Sequence, residues 1–270
     1  SSSSSSSNSS TSAPAPVVEM EGTTLGHVVD RYGGVIIDHL TLPPTVEEFN
    51  AAVTASIASW IASGVRGVWL RVPTERAELV GHAVHVGGFG FHHAEPNYVM
   101  LTRWLPQDEE NLLPANASHQ VGIGAFIQNA AGEVLLVQER RGPAARFPNM
   151  WKLPTGLVNQ GEDVPDAAVR EVFEETGVRT EFVSILGIRH GHNIAFGKSD
   201  MFFLCALRIV PGAGEAITMQ EQELAAADWR PLDDFVGNPH ITPGTYMDHM
   251  NGLCVEYAKG GYGGMGWQRL

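Results

Sequence analysis

The sequence predicts an α/β (α+β) chain of two domains, a small α/β unit over residues 19–113 and a second unit built on a mixed sheet over residues 114–258. Three observations point there. Strand-like and helix-like stretches alternate up to about residue 113, and residues 119–140 read as strand, turn and strand. Residues 156–178 then read as a Gly-rich turn, a capped helix and a glycine stop. A length of 270 residues fits one or two domains and is enough for a sizeable core.

The ends add little to this core. Residues 1–18, SSSSSSSNSSTSAPAPVV, carry no charge and are expected to be disordered. Their Ser-rich, acid-free character is compatible with the remnant of a plastid or mitochondrial transit peptide, against which the lack of arginines speaks. A chain cut from a longer one explains them equally. Residues 259–270 form a Gly-rich tail, expected to be mobile.

In the first domain, residues 35–40 (VIIDHL) read as a strand, and Thr45 with Glu48 forms a capping box after Pro43 and Pro44. The helix that follows carries Val46, Phe49, Val53, Ile57, Trp60 and Ile61 at helical spacing and stops at Gly64. Residues 67–72 read as a second strand, 74–86 as a second helix and 98–105 as a third strand. His82, His85, His92 and His93 lie here, but no carboxylate or Cys pattern accompanies them, which weighs against a metal site.

In the second domain, residues 119–140 predict a hairpin turning at 129–133. A loop containing Arg140, Arg141 and Arg146 leads to residues 151–158 (WKLPTGLV). Guanidinium groups match phosphate geometry, yet in an acidic protein these arginines read equally well as solvated charges. Trp151 is read either as a ring that stacks on a base or as core. Residues 181–191 and 199–210 are expected strands, joined by the loop HNIAFGKS. Glu221 and Glu223 precede a further strand ending at Trp229 and a short helix.

The chemistry concentrates in residues 156–178, GLVNQGEDVPDAAVREVFEETGV. Asp163 precedes Pro165 as helix N-cap, and Gly177 fits the left-handed residue past the C-terminus. At about 100° per residue, Glu171, Glu174 and Glu175 fall within one arc, opposite Pro165, Val169, Val172 and Thr176. Three carboxylates one turn apart repel unless solvent, partners or cations compensate. A solvated acidic face is one reading. The other is a hard-oxygen site for Mg²⁺ or Mn²⁺, with Arg170 orienting the carboxylates, Glu162 closing the preceding loop and Gly156 and Gly161 allowing close backbone approach.

This stretch resembles the Nudix box, complete in every defined position, and a match of that length is far more specific than a short motif. The resemblance implies a Nudix α/β/α sandwich and a metal-dependent pyrophosphohydrolase acting on a nucleoside diphosphate linked to another group. It implies Glu171, Glu174, Glu175 and the Gly156 carbonyl as metal ligands, Arg170 as the residue orienting them and Glu162 as a supporting acid. Glu174 or Glu175 is implied first as the catalytic base, and Glu223 second. Residues 89–106 and the loop HNIAFGKS resemble a plant and animal subgroup with a preceding domain, which adds Arg189 and Lys198 to Arg140, Arg146 and Trp151 as substrate contacts. Its plant members include enzymes acting on ADP-ribose and NADH; coenzyme A, FAD, nucleotide sugars, capped RNA and a non-catalytic binding module are the alternatives. A homodimer through the first domain is expected by analogy.

Composition sets the outer limits of this reading. With 17 basic and 30 acidic residues the formal charge is −13, which argues against nucleic acid as a partner. A small phosphorylated substrate is still allowed, because a bound cation inverts the local field. Cys205 and Cys254 make neither a disulfide framework nor a zinc site, so a reducing compartment, cytoplasm or plastid, is expected. No run approaches the roughly eighteen apolar residues of a membrane span.

Overall fold

The computed structural model describes residues 24–269, so the segment expected to be disordered lies outside the described residues. Two compact units meet between Ala117 and Ser118. Among the described residues no helix is long and apolar enough to cross a membrane.

The first unit is a five-stranded sheet with helices on one face. Its strands are β1 (His27–Val29), β2 (Val35–Ile37), β3 (Gly67–Pro73), β4 (Gly90–Glu95) and β5 (Tyr98–Trp104), in the order β1-β2-β3-β5-β4. Helix α1 (Val46–Ala62) starts at the expected capping box, with both reciprocal bonds between Thr45 and Glu48 present. Its Phe49, Val53, Ile57 and Trp60 pack with Leu79 and Ala83 of α2 (Leu79–His85) on Val35, Val68, Leu70 and Leu101 of the sheet. Ile61 is exposed instead, because the stripe runs through its neighbour Trp60 in the last turn and leaves Ile61 to the side. The helix expected over 74–86 divides into a 3-10 turn at Thr74–Arg76 and α2. The strand expected over 35–40 ends at Ile37, where the Asp38 carboxylate accepts from Leu40 N–H and caps another 3-10 turn.

The second unit is an α/β/α sandwich. Its central sheet has the order β8-β6-β10-β9, formed by β6 (His119–Ile127), β8 (Thr155–Leu157), β9 (Thr180–Ala195) and β10 (Lys198–Ile209). β6 and β10 run parallel, while β9 and β8 pair antiparallel at the edges, so the sheet is mixed. Alternation along β6 sends Ile123, Ala125 and Ile127 toward Ala167, Ala168 and Val172 of α3 (Val164–Thr176). Phe126 points the other way, into a core with Leu186, Leu204, Phe235 of α4 (Leu232–Val236) and Cys254 of α5 (Tyr246–Ala258). Each fully buried side chain of this size contributes about 1.5–3 kcal/mol. Cys205 and Cys254 are buried and unbridged.

Both strands and the turn expected over residues 119–140 form, but the two strands do not pair beyond the turn. Both edges of β6 are taken by β10 and β8, and β7 (Val134–Glu139) pairs with β11 (Leu224–Arg230) in a separate two-stranded sheet. One bridge, Gln128 to Val134, is what remains between the two arms. The loop expected between β9 and β10 is shorter than read, since their ladder continues to Lys198 and Ala195. The tail departs from the mobile reading as well: Met265 bridges Ile185, the Tyr262 hydroxyl donates to Leu186 O, and Trp267 meets the Phe203 ring edge-on.

Candidate active site

Helix α3 begins and ends much as its sequence dictates. Asp163 occupies the N-cap, but its carboxylate caps no backbone N–H and lies 3.5 Å from Arg269 Nε. Gly177 closes the helix at φ +71°, where any Cβ would be strained. Val172 and Thr176 are buried as the packing face requires.

The opposite face is not uniformly solvated. Arg170 clasps most of it. Its Nε and Nη2 donate to the two oxygens of Glu162 at 2.7 and 2.9 Å, and Nη1 donates to Glu171 at 2.8 Å and Glu174 at 3.1 Å. A further bond from Nη2 to Leu157 O ties the fork to β8. The Glu162 carboxylate also accepts from Asn159 N–H at 2.9 Å, and Arg170 chiefly holds its pKa below the usual carboxylate range. Glu171 lies over Gly156 so closely that a Cβ there would overlap its carboxylate. Burial raises the Glu171 pKa against the pull of Arg170, aided by Glu174 and Glu223.

Glu175 is the exception on this face. It is 7 % exposed, and its Oε2 is buried without a hydrogen-bond partner. Burial pushes its pKa up to about 8; the Lys152 charge opposes this, while Glu171, Glu223 and Glu139 add to it. Glu175 lines a cavity of about 400 Å³ together with Glu139, Arg141, Thr155 and Glu223. Backbone bonds bring Glu223 there: Gln220 N–H donates to Glu175 O at the helix end, and Arg140 N–H donates to Glu223 O at the end of β7. Among the described residues, no three His, Cys, Asp or Glu side chains converge on one point. Arg170 draws Glu171 and Glu174 to itself, while Glu175 turns inward.

A second cavity, of about 440 Å³, adjoins the first through the shared residues Glu139 and Thr155. Its wall is mainly apolar and aromatic, with Trp151, Phe202, Phe235 and Tyr246, and Asn238 adds an amide. Arg189 also lines it, paired to Asp200 and lying 5.0 and 5.1 Å from the Phe202 and Tyr246 rings. Trp151 has the Arg230 guanidinium over its ring at 4.6 Å and its carbonyl accepts from Asn238.

Other expected contacts fall elsewhere. Arg140 Nε donates to Leu224 O, Arg146 ends an exposed 3-10 turn, and Lys198 opens β10. None of these three lines either cavity. Sequence reasoning missed Glu139, Lys152 and Thr155. Lys152 Nζ lies 2.6 Å from both Glu139 Oε1 and Thr155 Oγ1, and the residue is pinned by paired backbone bonds to Val137. The available signal was a lone charge inside the apolar run WKLP, next to a box already recognised.

Comparison with known proteins agrees with this architecture. Residues 25–105 match the model described as Nudix hydrolase domain, and residues 118–246 match that described as NUDIX domain. Nudix hydrolase 8 of Arabidopsis thaliana is 46 % identical over 89 % of this chain, which spans 64 % of that relative's length. Nudix hydrolase 2 of the same organism is 44 % identical over 92 % of this chain and 87 % of its own. Nucleoside diphosphate-linked moiety X motif 6 of Mus musculus is 39 % identical over 82 % and 70 %. The chain belongs to the Nudix hydrolase family, the pyrophosphohydrolases of nucleoside diphosphate derivatives.

Proposed function

We propose that the second unit hydrolyses the pyrophosphate bond of ADP-ribose, NADH or both, releasing AMP and the other phosphorylated half, with Mg²⁺ or Mn²⁺ as cofactor. The observation that carries this reading is Glu175, a buried carboxylate with an unpartnered oxygen on the wall of an acidic cavity that adjoins an aromatic one. An aromatic cavity of this size suits a planar base, and the neighbouring carboxylates suit the site of phosphate chemistry.

The donor types suit a divalent cation, although as they stand Glu171 and Glu174 bond to Arg170 and do not converge with Glu175. Glu171, Glu174 and Glu175 offer hard oxygens within one helical turn, and the absent Cβ of Gly156 leaves Glu171 room against β8. Those three carboxylates and the Gly156 carbonyl would hold the ion, which when bound neutralises phosphate charge and acidifies a water. Arg170 fixes the rotamers of Glu171 and Glu174 and is itself fixed by Glu162. Glu174 or Glu175 accepts the proton of the attacking water, with Glu223 next in line. Trp151 and Arg189 line the nucleoside cavity, whereas Arg140, Arg146 and Lys198 would reach substrate only outside the two cavities.

A product assay tests this reading, using ADP-ribose, NADH, NAD⁺, FAD, coenzyme A and a capped oligonucleotide, each with Mg²⁺ and with chelator. AMP released from ADP-ribose or NADH only with metal is the expected result. Turnover that survives chelation overturns the metal assignment, and cleavage of another substrate alone overturns the substrate assignment.

A further inference from the structure

The wall between the two cavities carries a cation that the family resemblance does not assign. Lys152 lines the aromatic cavity, and its partners Glu139 and Thr155 line both cavities. Its side chain is 15 % exposed, and the ammonium is held at 2.6 Å by Glu139 and at 2.6 Å by Thr155. Glu139 is anchored in turn, since its other oxygen accepts from Ala144 N–H at 3.2 Å. The backbone of Lys152 is locked to β7 by two bonds with Val137, of 2.8 and 3.0 Å.

An ammonium has three N–H donors. Glu139 and Thr155 take two of them, which leaves one for a ligand. The competing cations are placed differently: Arg189 is paired to Asp200, Arg170 to three glutamates, and Arg140 to a backbone carbonyl. Arg141 lines the carboxylate cavity but is exposed. A nucleoside diphosphate with its base among Trp151, Phe202 and Tyr246 and its scissile bond near Glu175 must cross the wall where Lys152 stands.

Resting on the nucleotide-hydrolase reading above, we infer that Lys152 binds the nucleoside-side phosphate of the substrate and so sets the register between the base cavity and the carboxylates. A compact ammonium suits this place, because it supplies one point of charge without the wide fork of a guanidinium. Glu139 and Thr155 act as positioning residues that aim it.

The experiment compares binding of AMP and of adenosine to the full chain, by calorimetry, in wild type and in Lys152→Met. The variant keeps the aliphatic stem and removes the charge. Loss of a charged hydrogen bond predicts AMP binding weakened roughly 10- to 100-fold, with adenosine binding essentially unchanged. Retained AMP affinity, or equal losses for AMP and adenosine, overturns the assignment. A wild-type protein that binds neither compound overturns the nucleotide reading and this assignment together, which separates the two failures. Should Lys152→Met fail to melt cooperatively, Glu139→Gln/Lys152→Met takes its place, because removing both charges leaves no unpaired ion behind. The same selective loss of AMP is expected from it, and AMP affinity equal to wild type sinks the inference.

Discussion

Each unit gathers side chains with metal-ligand chemistry, and the two gatherings differ in what their polar atoms are already bonded to. In the first unit His92 and His93 meet Nδ1 to Nδ1 at 2.6 Å, His93 Nε2 faces the Tyr98 hydroxyl and His92 Nε2 faces Pro114 O. All four ring nitrogens have partners. In the second unit the Glu175 Oε2 has none, although burial makes an unpartnered oxygen costly. A cluster of ligand-type residues that satisfies itself is a packing device. On the reading proposed above, the one that leaves a buried oxygen unsatisfied keeps it for a ligand.

The strongest way to break this comparison is to remove the unsatisfied group. Glu175→Gln and Glu174→Gln are each expected to lower kcat by about 10²- to 10⁴-fold in the ADP-ribose assay, with folding retained. Near-normal turnover in either variant would remove that glutamate from the proposed site. The two variants should part company in stability without metal, because Glu174 is exposed while Glu175 is buried.

A pH series makes that second difference measurable. The folded pKa of Glu175, about 8, exceeds the ordinary value of 4.5, so the folded state holds a proton that the unfolded chain has released. Its contribution is therefore fully present below about pH 4.5 and is lost as pH rises through about 8, an effect on the order of 5 kcal/mol at most. Denaturant melts of metal-free protein should show this fall, and Glu175→Gln should flatten it. An unchanged slope in the variant would mean that the oxygen finds a partner in solution. Glu162 carries the opposite sign, stabilising above its ordinary pKa and losing that stabilisation as pH drops through its lowered folded pKa.

Legibility from sequence follows the range of the interactions involved. The start of α1, the stop of α3 at Gly177 and the spacing of its glutamates depend on residues a few positions apart, and all three were readable. The surroundings of Glu175 were not, because residues 218–224 bond back to the helix end and residue 139 comes from another strand to share its cavity. Nor was the separation of β6 from β7, which depends on a competitor strand some 80 residues away taking the edge of β6. Lys152 and Glu139 meet because β7 and the segment before β8 lie side by side, which no local pattern announces. Helix α5 escaped notice because its polar and apolar residues mix, with Cys254 the one side chain fully buried among its described residues.

Arg170 tests the satisfied part of the second unit. Its fork holds Glu162, Glu171 and Glu174 at once, so Arg170→Ala frees three carboxylates to repel and to rotate. Removing such a supporting residue is expected to reduce metal affinity or activity about 10- to 100-fold, read as a shift in the Mn²⁺ titration of turnover. Arg170→Lys should recover little of this, since one ammonium cannot reproduce the paired bonds to Glu162 and the bond to Leu157 O.

The smallest effect belongs to the histidines. The neutral tautomers that satisfy every contact run in one direction: the Tyr98 hydroxyl donates to His93 Nε2, His93 Nδ1–H donates to His92 Nδ1, and His92 Nε2–H donates to Pro114 O. With every lone pair committed, neither ring has a nitrogen to offer a cation. His92→Phe keeps an aromatic ring beside Trp69, whose ring lies 5.0 Å away, and breaks the relay at two bonds. The expected outcome is a stability loss of about 1 to 3 kcal/mol in a thermal melt. Turnover and the Mn²⁺ titration should not move. A variant that loses metal-dependent activity while keeping its melting temperature would reverse the contrast, making the first unit the one that holds something back for a ligand.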